Sequence, residues 1–277
     1  MDAVIYKILC FASFALGAVV ASFLNVVVWR VPRGESVVRP ASHCPRCGAF
    51  IRWWQNVPVV SWICLRGRCA ACKAPISPRY VIVEALGGTL FLFTFMRFGP
   101  GIATLVFWIW ISLMIVGSFI DFDHKLLPDF VTVGGMVLGL VNAVVLYALF
   151  PALRSVPFFS LSNPITNSLL GLAFGFGLLW AIRDIGSRVF KREAMGLGDV
   201  FLMGAVGAIF GPLAVLVSLV LSSLFGSAVG VGLIALSKAK LGRFVEIPYG
   251  PYICAGCLAW MFFGREIVGW YAGLFTR

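Results

Sequence analysis

Apolar residues in this chain come in long runs separated by short polar breaks. A helix needs about 20 residues to cross a hydrocarbon core, and runs near that length fall at 3–29, 80–96, 101–120, 130–150, 164–182, 200–211, 213–236 and 250–263. The pattern predicts an all-α polytopic membrane protein with about eight transmembrane helices. The sixth run is short and ends at Gly211-Pro212, so 200–236 reads either as one bent span or as two. Residues 30–79 are the only sizeable hydrophilic insertion. The first run is too long for the apolar core of a secretory signal, starts behind Asp2 where a signal is basic, and is followed by Arg30 and Arg33, which predicts an uncleaved anchor.

Composition supports the same class: 61% of residues are hydrophobic and 12% charged, with a mean hydropathy of +0.99, against about a quarter charged in soluble domains. A net charge of +11 would suggest nucleic acid in a soluble protein. Here the basic residues follow the loops instead. With the N-terminus outside, 17 Lys and Arg fall on the cytoplasmic side and five on the other, the asymmetry of the positive-inside rule. The basic face is read as a topology signal and a contact for anionic lipids, with no nucleic-acid partner.

This topology brings two acidic residues to one membrane face. The third helix runs inward to reach Asp121, and the sixth runs outward from Asp199 in Gly196-Leu197-Gly198-Asp199. A carboxylate at membrane depth costs several kcal/mol, roughly, and marks a functional site by default. Paired, two such groups can share a proton, one activating a water and the other donating to a carbonyl oxygen. Gly196 and Gly198 would let a substrate backbone or a facing helix approach Asp199. Asp123 and Asp129 fall in the polar turn from Asp123 to Asp129, Asp184 reads as a loop charge beside Arg183, and Glu84 reads as a snorkelling or paired group.

The insertion carries Cys44-Pro45-Arg46-Cys47 and, after 21 intervening residues, Cys69-Ala70-Ala71-Cys72. Two such knuckles predict a zinc site of Cys44, Cys47, Cys69 and Cys72, each pair gripping the metal from a tight turn. Cys64 and His43 could replace a ligand in principle, and two disulfides are the alternative that a reducing compartment disfavours. Cys254-Ala255-Gly256-Cys257 lies in the last apolar run without polar neighbours and reads as packing. The organisation is then 1–29 as first transmembrane helix, 30–79 as a cytoplasmic zinc-binding domain and 80–277 as a transmembrane domain.

With these residues in view, the chain resembles the bacterial type IV prepilin peptidases over nearly its whole length. The resemblance rests on Ser22 to Val27 followed by Arg30 to Ser36, on His43 to Cys47, and on Gly67 to Cys72 with Pro75-Ile76-Ser77. It continues in Phe119 to Asp129, Gly196 to Asp199, and Ile247-Pro248-Tyr249-Gly250-Pro251. It implies a G-x-G-D aspartyl peptidase, related in mechanism to presenilin and the archaeal preflagellin peptidases, with Asp121 and Asp199 catalytic. Asp123 sits off the spacing to Leu127-Pro128 that the archaeal relatives share. The implied substrates are type IV prepilins and type II secretion pseudopilins, cut after a glycine on the cytoplasmic side of the bacterial inner membrane. Members with the cysteine domain usually also methylate the new N-terminal amine from S-adenosylmethionine.

One position departs from the family: Phe201 stands where a lysine is usual, two residues after Asp199. A lysine could favour the charged form of the neighbouring carboxyl. On a helix the two positions are roughly 200° apart, which would turn the side chains away from each other. Two other classes are weighed. A proton-coupled transporter would carry its polar residues along a mid-depth path and has no use for a zinc insertion, and a zinc-stabilised membrane adaptor without chemistry would be indifferent to loss of Asp121 or Asp199.

Overall fold

The computed structural model describes residues 2–150, 152, 161–193, 195–236 and 248–275. Of the residues used above, Ile247 and the basic Arg154, Lys238, Lys240, Arg243 and Arg277 lie outside the described residues. The described chain is helical, with only isolated β-bridges in the insertion. Its helices are α1 Ala3–Arg30, α2 Val60–Cys64, α3 Pro78–Phe98, α4 Ile102–His124, α5 Asp129–Leu149, α6 Pro164–Phe190, α7 Leu197–Phe210, α8 Pro212–Leu236 and α9 Gly250–Phe275.

Among the described residues, seven helices are long and apolar enough to cross a membrane, and α7 is a shorter apolar helix. The 200–236 stretch is two helices. They part at Gly211, whose φ of +87° no ordinary side chain adopts without strain, and Asn167 fills the space a Cβ there would need. Pro212 then opens α8, a position where its missing N–H costs nothing. Several helices outrun the apolar stretches that announced them. α4 continues through Asp123 and His124, α6 through Arg183 and Asp184, and α9 to Phe275, because backbone hydrogen bonding does not stop where the side chains become polar. Asp123 and Asp184 therefore sit on helices, where a turn and a loop were expected, and Asp129 is the first residue of α5.

Contacts divide the chain into two compact units, Met1–Val116 and Gly117–Arg277. In the first, α1 packs along α3. Gly17 and Gly87 let the backbones meet: a Cβ on Gly17 would lie 2.5 Å from the Gly87 carbonyl oxygen. Asn25 Nδ2 donates to the Tyr80 carbonyl at 3.3 Å. The ring of Phe91 on α3 stacks on Trp108 of α4 with centroids 5.0 Å apart. Glu84 is buried, and its carboxylate accepts the Val59 N–H at 2.7 Å. This resolves its role as a paired group that ties the insertion to α3. Arg30, also buried, donates to the carbonyls of Ser36 and Pro40.

In the second unit α7 is the central helix, packed by α5, α6, α8 and α9. Nine of its 14 residues are buried. Small residues make this possible: Gly171 of α6 and Gly207 of α7 each touch the other's backbone, Gly175 touches Met203, and a Cβ on Gly139 of α5 would meet Ala208 at 2.6 Å. Ser168 donates to the Ala208 carbonyl at 2.6 Å. Lipid tails are as apolar as these side chains, so close backbone contact and hydrogen bonds supply the association.

Gly171→Val or Gly207→Val should separate α6 from α7 at a cost of at least ~1–3 kcal/mol. Detergent-extracted variants should aggregate or melt earlier than the parent. Gly177→Ala, on the same α6 but with open space at its Cβ, should melt like the parent; equal melting of all three would contradict this packing.

Candidate active site and metal centre

Asp121 lies in the last turn of α4 and Asp199 in the first turn of α7. Both carboxylic side chains are buried, in residues only 6% and 8% exposed, and Asp121 lies near enough to Asp199 to act on it electrostatically. Chain positions 78 apart thus come within electrostatic reach of each other in the second unit. Each carboxyl is held by backbone at a helix start. Asp199, third residue of α7, reaches back to the N–H of Gly196, the residue that caps the helix, which is one half of a capping box. Asp121 Oδ2 accepts the N–H of Gly250, first residue of α9, at 3.0 Å. Donors and helix dipole both favour negative charge there.

Several partners in this site were not legible as such in the sequence. Gly250 stands out only as part of a motif, whereas its position is set by contact: a Cβ on it would lie 2.8 Å from Asp121 Oδ2 and 3.3 Å from Leu127 Cδ1. A Cβ on Gly198 would meet Leu127 Cβ at 2.8 Å, so Leu127 packs against both Gly198 of α7 and Gly250 of α9. Tyr249, next to Gly250, shares a hydrogen bond of 2.7 Å between its hydroxyl and that of Ser222. Arg183 donates through Nε to the Met195 carbonyl at 3.0 Å and pairs with Glu193 at 3.2 Å, which steadies the approach to Gly196. Its distance from Asp199 along the chain hid that role.

Cys254 and Cys257 are buried, as packing residues are. Contrary to the expectation from the sequence, Cys254 is not remote from polar groups. Its thiol is hydrogen-bonded with Ser118 and feels both aspartates, because one turn of α9 separates it from Gly250. Phe201 packs its ring edge-on against Phe176 of α6, centroids 5.4 Å apart. Asp123 and Asp129 are exposed, and Asp184 pairs with Arg188 at 2.8 Å on the surface of α6.

In the first unit the thiols of Cys44, Cys47, Cys69 and Cys72 lie within 4.8 Å of one another. The two knuckles fold alike. Cys44 N–H donates to Ala49 and Gly48 N–H to Cys44; Cys69 N–H donates to Ala74 and Lys73 N–H to Cys69. Gly48 and Lys73 both take positive φ, near +69° and +60°, to close these turns. Cys64 and His43 stay outside the cluster; His43 Nδ1 bonds the Ala41 carbonyl at 3.0 Å.

The cluster fits a tetrathiolate zinc. Zn–S bonds of about 2.3 Å in a tetrahedron place sulfurs roughly 3.8 Å apart, and Cys44 and Cys72 Sγ are 3.9 Å apart. The N–H groups of Cys47 and Arg46 hold the Cys44 thiol down to about 6, and those of Cys72 and Ala71 lower Cys69. Cys47 has the Ala49 N–H in its favour, yet the surrounding thiols of Cys72, Cys44 and Cys69, together with burial, push it up to about 11. Four thiolates at this spacing need a cation among them.

Two family models match the chain: the bacterial peptidase A24 N-terminal domain over residues 15–98, and the type IV leader peptidase family over residues 108–231. Curated relatives named prepilin leader peptidase/N-methyltransferase are similar to it. One from Myxococcus xanthus is 40% identical over 84% of this chain and 65% of its own length. One from Pseudomonas putida is 34% identical over 91% and 90%, and one from Legionella pneumophila 34% over 92% and 91%. No solved structure matches.

Metal analysis of the purified chain should find about one zinc per molecule. Replacing Cys44 and Cys69 together by serine should remove it, while Cys64→Ser should leave it in place. Zinc retained by the double variant, or lost with Cys64, would contradict the cluster as described.

Proposed function

We propose, since the chain belongs to the type IV leader peptidase family, that it is an intramembrane aspartyl endopeptidase of the prepilin leader peptidase/N-methyltransferase kind. Its substrates are type IV prepilins or type II secretion pseudopilins, whose basic leader it removes on the cytoplasmic side of the inner membrane. It then methylates the new N-terminal amine with S-adenosylmethionine. The observation that carries the peptidase reading is the buried pair Asp121 and Asp199, two carboxyls that act on each other and are each anchored by a backbone N–H.

Two adjacent carboxyls cannot both ionise without repulsion, so the pair holds one proton between them over a range of pH. The ionised member takes a proton from a water as its oxygen attacks the scissile carbonyl, and the protonated member donates to the carbonyl oxygen. Collapse of the tetrahedral intermediate then breaks the C–N bond and sends a proton to the leaving amine. The Gly250 N–H on Oδ2 fixes the plane of the Asp121 carboxyl and leaves Oδ1 for the water. A prepilin keeps its basic leader on the cytoplasmic side and its apolar helix in the membrane, so the bond to be cut arrives at the helix-end level where the pair sits.

In this reading residues 30–79 are the zinc-binding domain and 80–277 the peptidase domain. Zinc held by Cys44, Cys47, Cys69 and Cys72 would supply a structural crosslink, since residues 44–72 are too short and too basic to build an apolar core of their own. Phe201, where the family usually has lysine, serves α6–α7 packing through Phe176.

Asp121→Asn and Asp199→Asn should each abolish cleavage of a prepilin while the protein still accumulates in the membrane, because an amide keeps the shape and cannot exchange the proton. Asp123→Asn should retain most activity; an active Asp121→Asn with a dead Asp123→Asn would transfer the role to the neighbour.

Gly250→Ala tests the Asp121 anchor. The added methyl has to displace Oδ2 or Leu127, and a misplacement approaching 1 Å should lower kcat on the order of tenfold to a hundredfold with KM for the prepilin little changed. Parental kcat would mean that the carboxyl does not depend on this contact.

A further inference from the structure

The insertion presents large apolar side chains on its surface. Phe50, Trp53, Trp54, Val60 and Ile63 are between 49% and 78% exposed. Trp53 and Trp54 meet edge to face with centroids 5.5 Å apart, and the Arg52 guanidinium lies over the Trp54 ring at 5.1 Å. The same pairing recurs where α1 ends, with Arg33 3.7 Å from the centre of the exposed Trp29 ring. Tryptophan with arginine is the chemistry of the membrane–water interface, apolar body in the acyl boundary and charge among headgroups.

The backbone holds this patch at the level of the helix ends. The insertion leaves α1 at Arg30 and enters α3 at Pro78, and Asn25 joins those ends through Tyr80. Glu84 lies six residues inside α3, about 9 Å along its axis, and binds the N–H of Val59, immediately before α2. Ser61 then ties α2 back to Trp54: its hydroxyl donates to the Trp54 carbonyl and accepts from Val57 N–H, both at 2.9 Å. The segment from Trp54 to Val60 is thus drawn down beside α3 and not projected away from it.

Charge selects the occupant. Residues 30–79 carry nine Lys and Arg and a single acid, Glu35. A basic peptide is repelled by such a surface, whereas an anionic headgroup layer is attracted, each basic side chain near it contributing favourably.

We infer that the face formed by Phe50, Arg52, Trp53, Trp54, Val60 and Ile63 docks on the anionic lipid surface of the leaflet beside it. The insertion is then a lipid-anchored part of the protein, held against the bilayer by aromatic side chains and by arginines among lipid phosphates. This goes beyond the peptidase reading and does not depend on it.

The test uses the full chain labelled with 5-fluorotryptophan. It is placed in nanodiscs of phosphatidylcholine, with or without phosphatidylglycerol, that carry a lipid spin-labelled near its headgroup. Trp53→Phe and Trp54→Phe assign the two fluorine resonances, and Trp29 is the internal reference for interface depth. In anionic discs Trp53 and Trp54 should broaden about as much as Trp29. They should sharpen in phosphatidylcholine alone, at high salt, and in Arg52→Glu, which should keep its zinc. Resonances of Trp53 and Trp54 that stay sharp in anionic discs while Trp29 broadens would overturn the docking. Equal broadening in both lipids would overturn the role of anionic headgroups. Broadening that appears only after a prepilin or a soluble acidic protein is added would show that the face belongs to that partner.

Discussion

Burying two carboxyl groups in an apolar helical bundle is the constraint on which the second unit depends. Neither Asp121 nor Asp199 can be left without hydrogen-bond donors at such depth. The donors come from backbone, at the two places where a helix has N–H groups to spare: Gly196 before α7 and Gly250 at the start of α9. For both starts to lie near the end of α4, α7 must begin and end where ordinary spans do not. Its 14 residues reach about 21 Å against a hydrocarbon layer of about 30 Å, and Gly211 stops it.

A short central helix then has to be gripped without the hydrophobic effect that would grip it in water. That explains why the contacts of α7 fall on Gly139, Gly171, Gly175, Gly204 and Gly207, and why Ser168 spends its hydroxyl on the Ala208 carbonyl. The same chemistry of absent side chains operates at Gly198 and Gly250, where Leu127 and the Asp121 carboxyl occupy the space. The glycines of the site and those of the packing solve one problem, the approach of backbone to backbone.

The insertion answers a different constraint. A segment with nine basic residues and many exposed aromatics does not build a core, so its order comes from elsewhere. Four thiols gather through two matched turns, Arg30 binds the carbonyls of Ser36 and Pro40, and Glu84 takes the N–H of Val59. Two of these anchors are buried ionisable side chains, Arg30 at the end of α1 and Glu84 six residues inside α3, which couples the fold of the insertion to the helices that carry it.

The sequence by itself determined the helical class, the location of nearly every span, the four cysteines and the family, because apolar run length and cysteine spacing are local signals that neighbours do not override. The helix ends of α4, α6 and α9 were not local in that sense. Asp123, Arg183 and Asp184 are polar enough to look like loop, yet a helix continues as long as its backbone bonds do. Only the tertiary structure decided that Glu84 is paired with Val59, that Cys254 lies beside the carboxyls, that Phe201 meets Phe176, and that Gly250 holds Asp121 across 129 positions of chain. Each of these is a contact between residues distant in sequence, and its partner is chosen by how helices pack, which no single run of residues encodes.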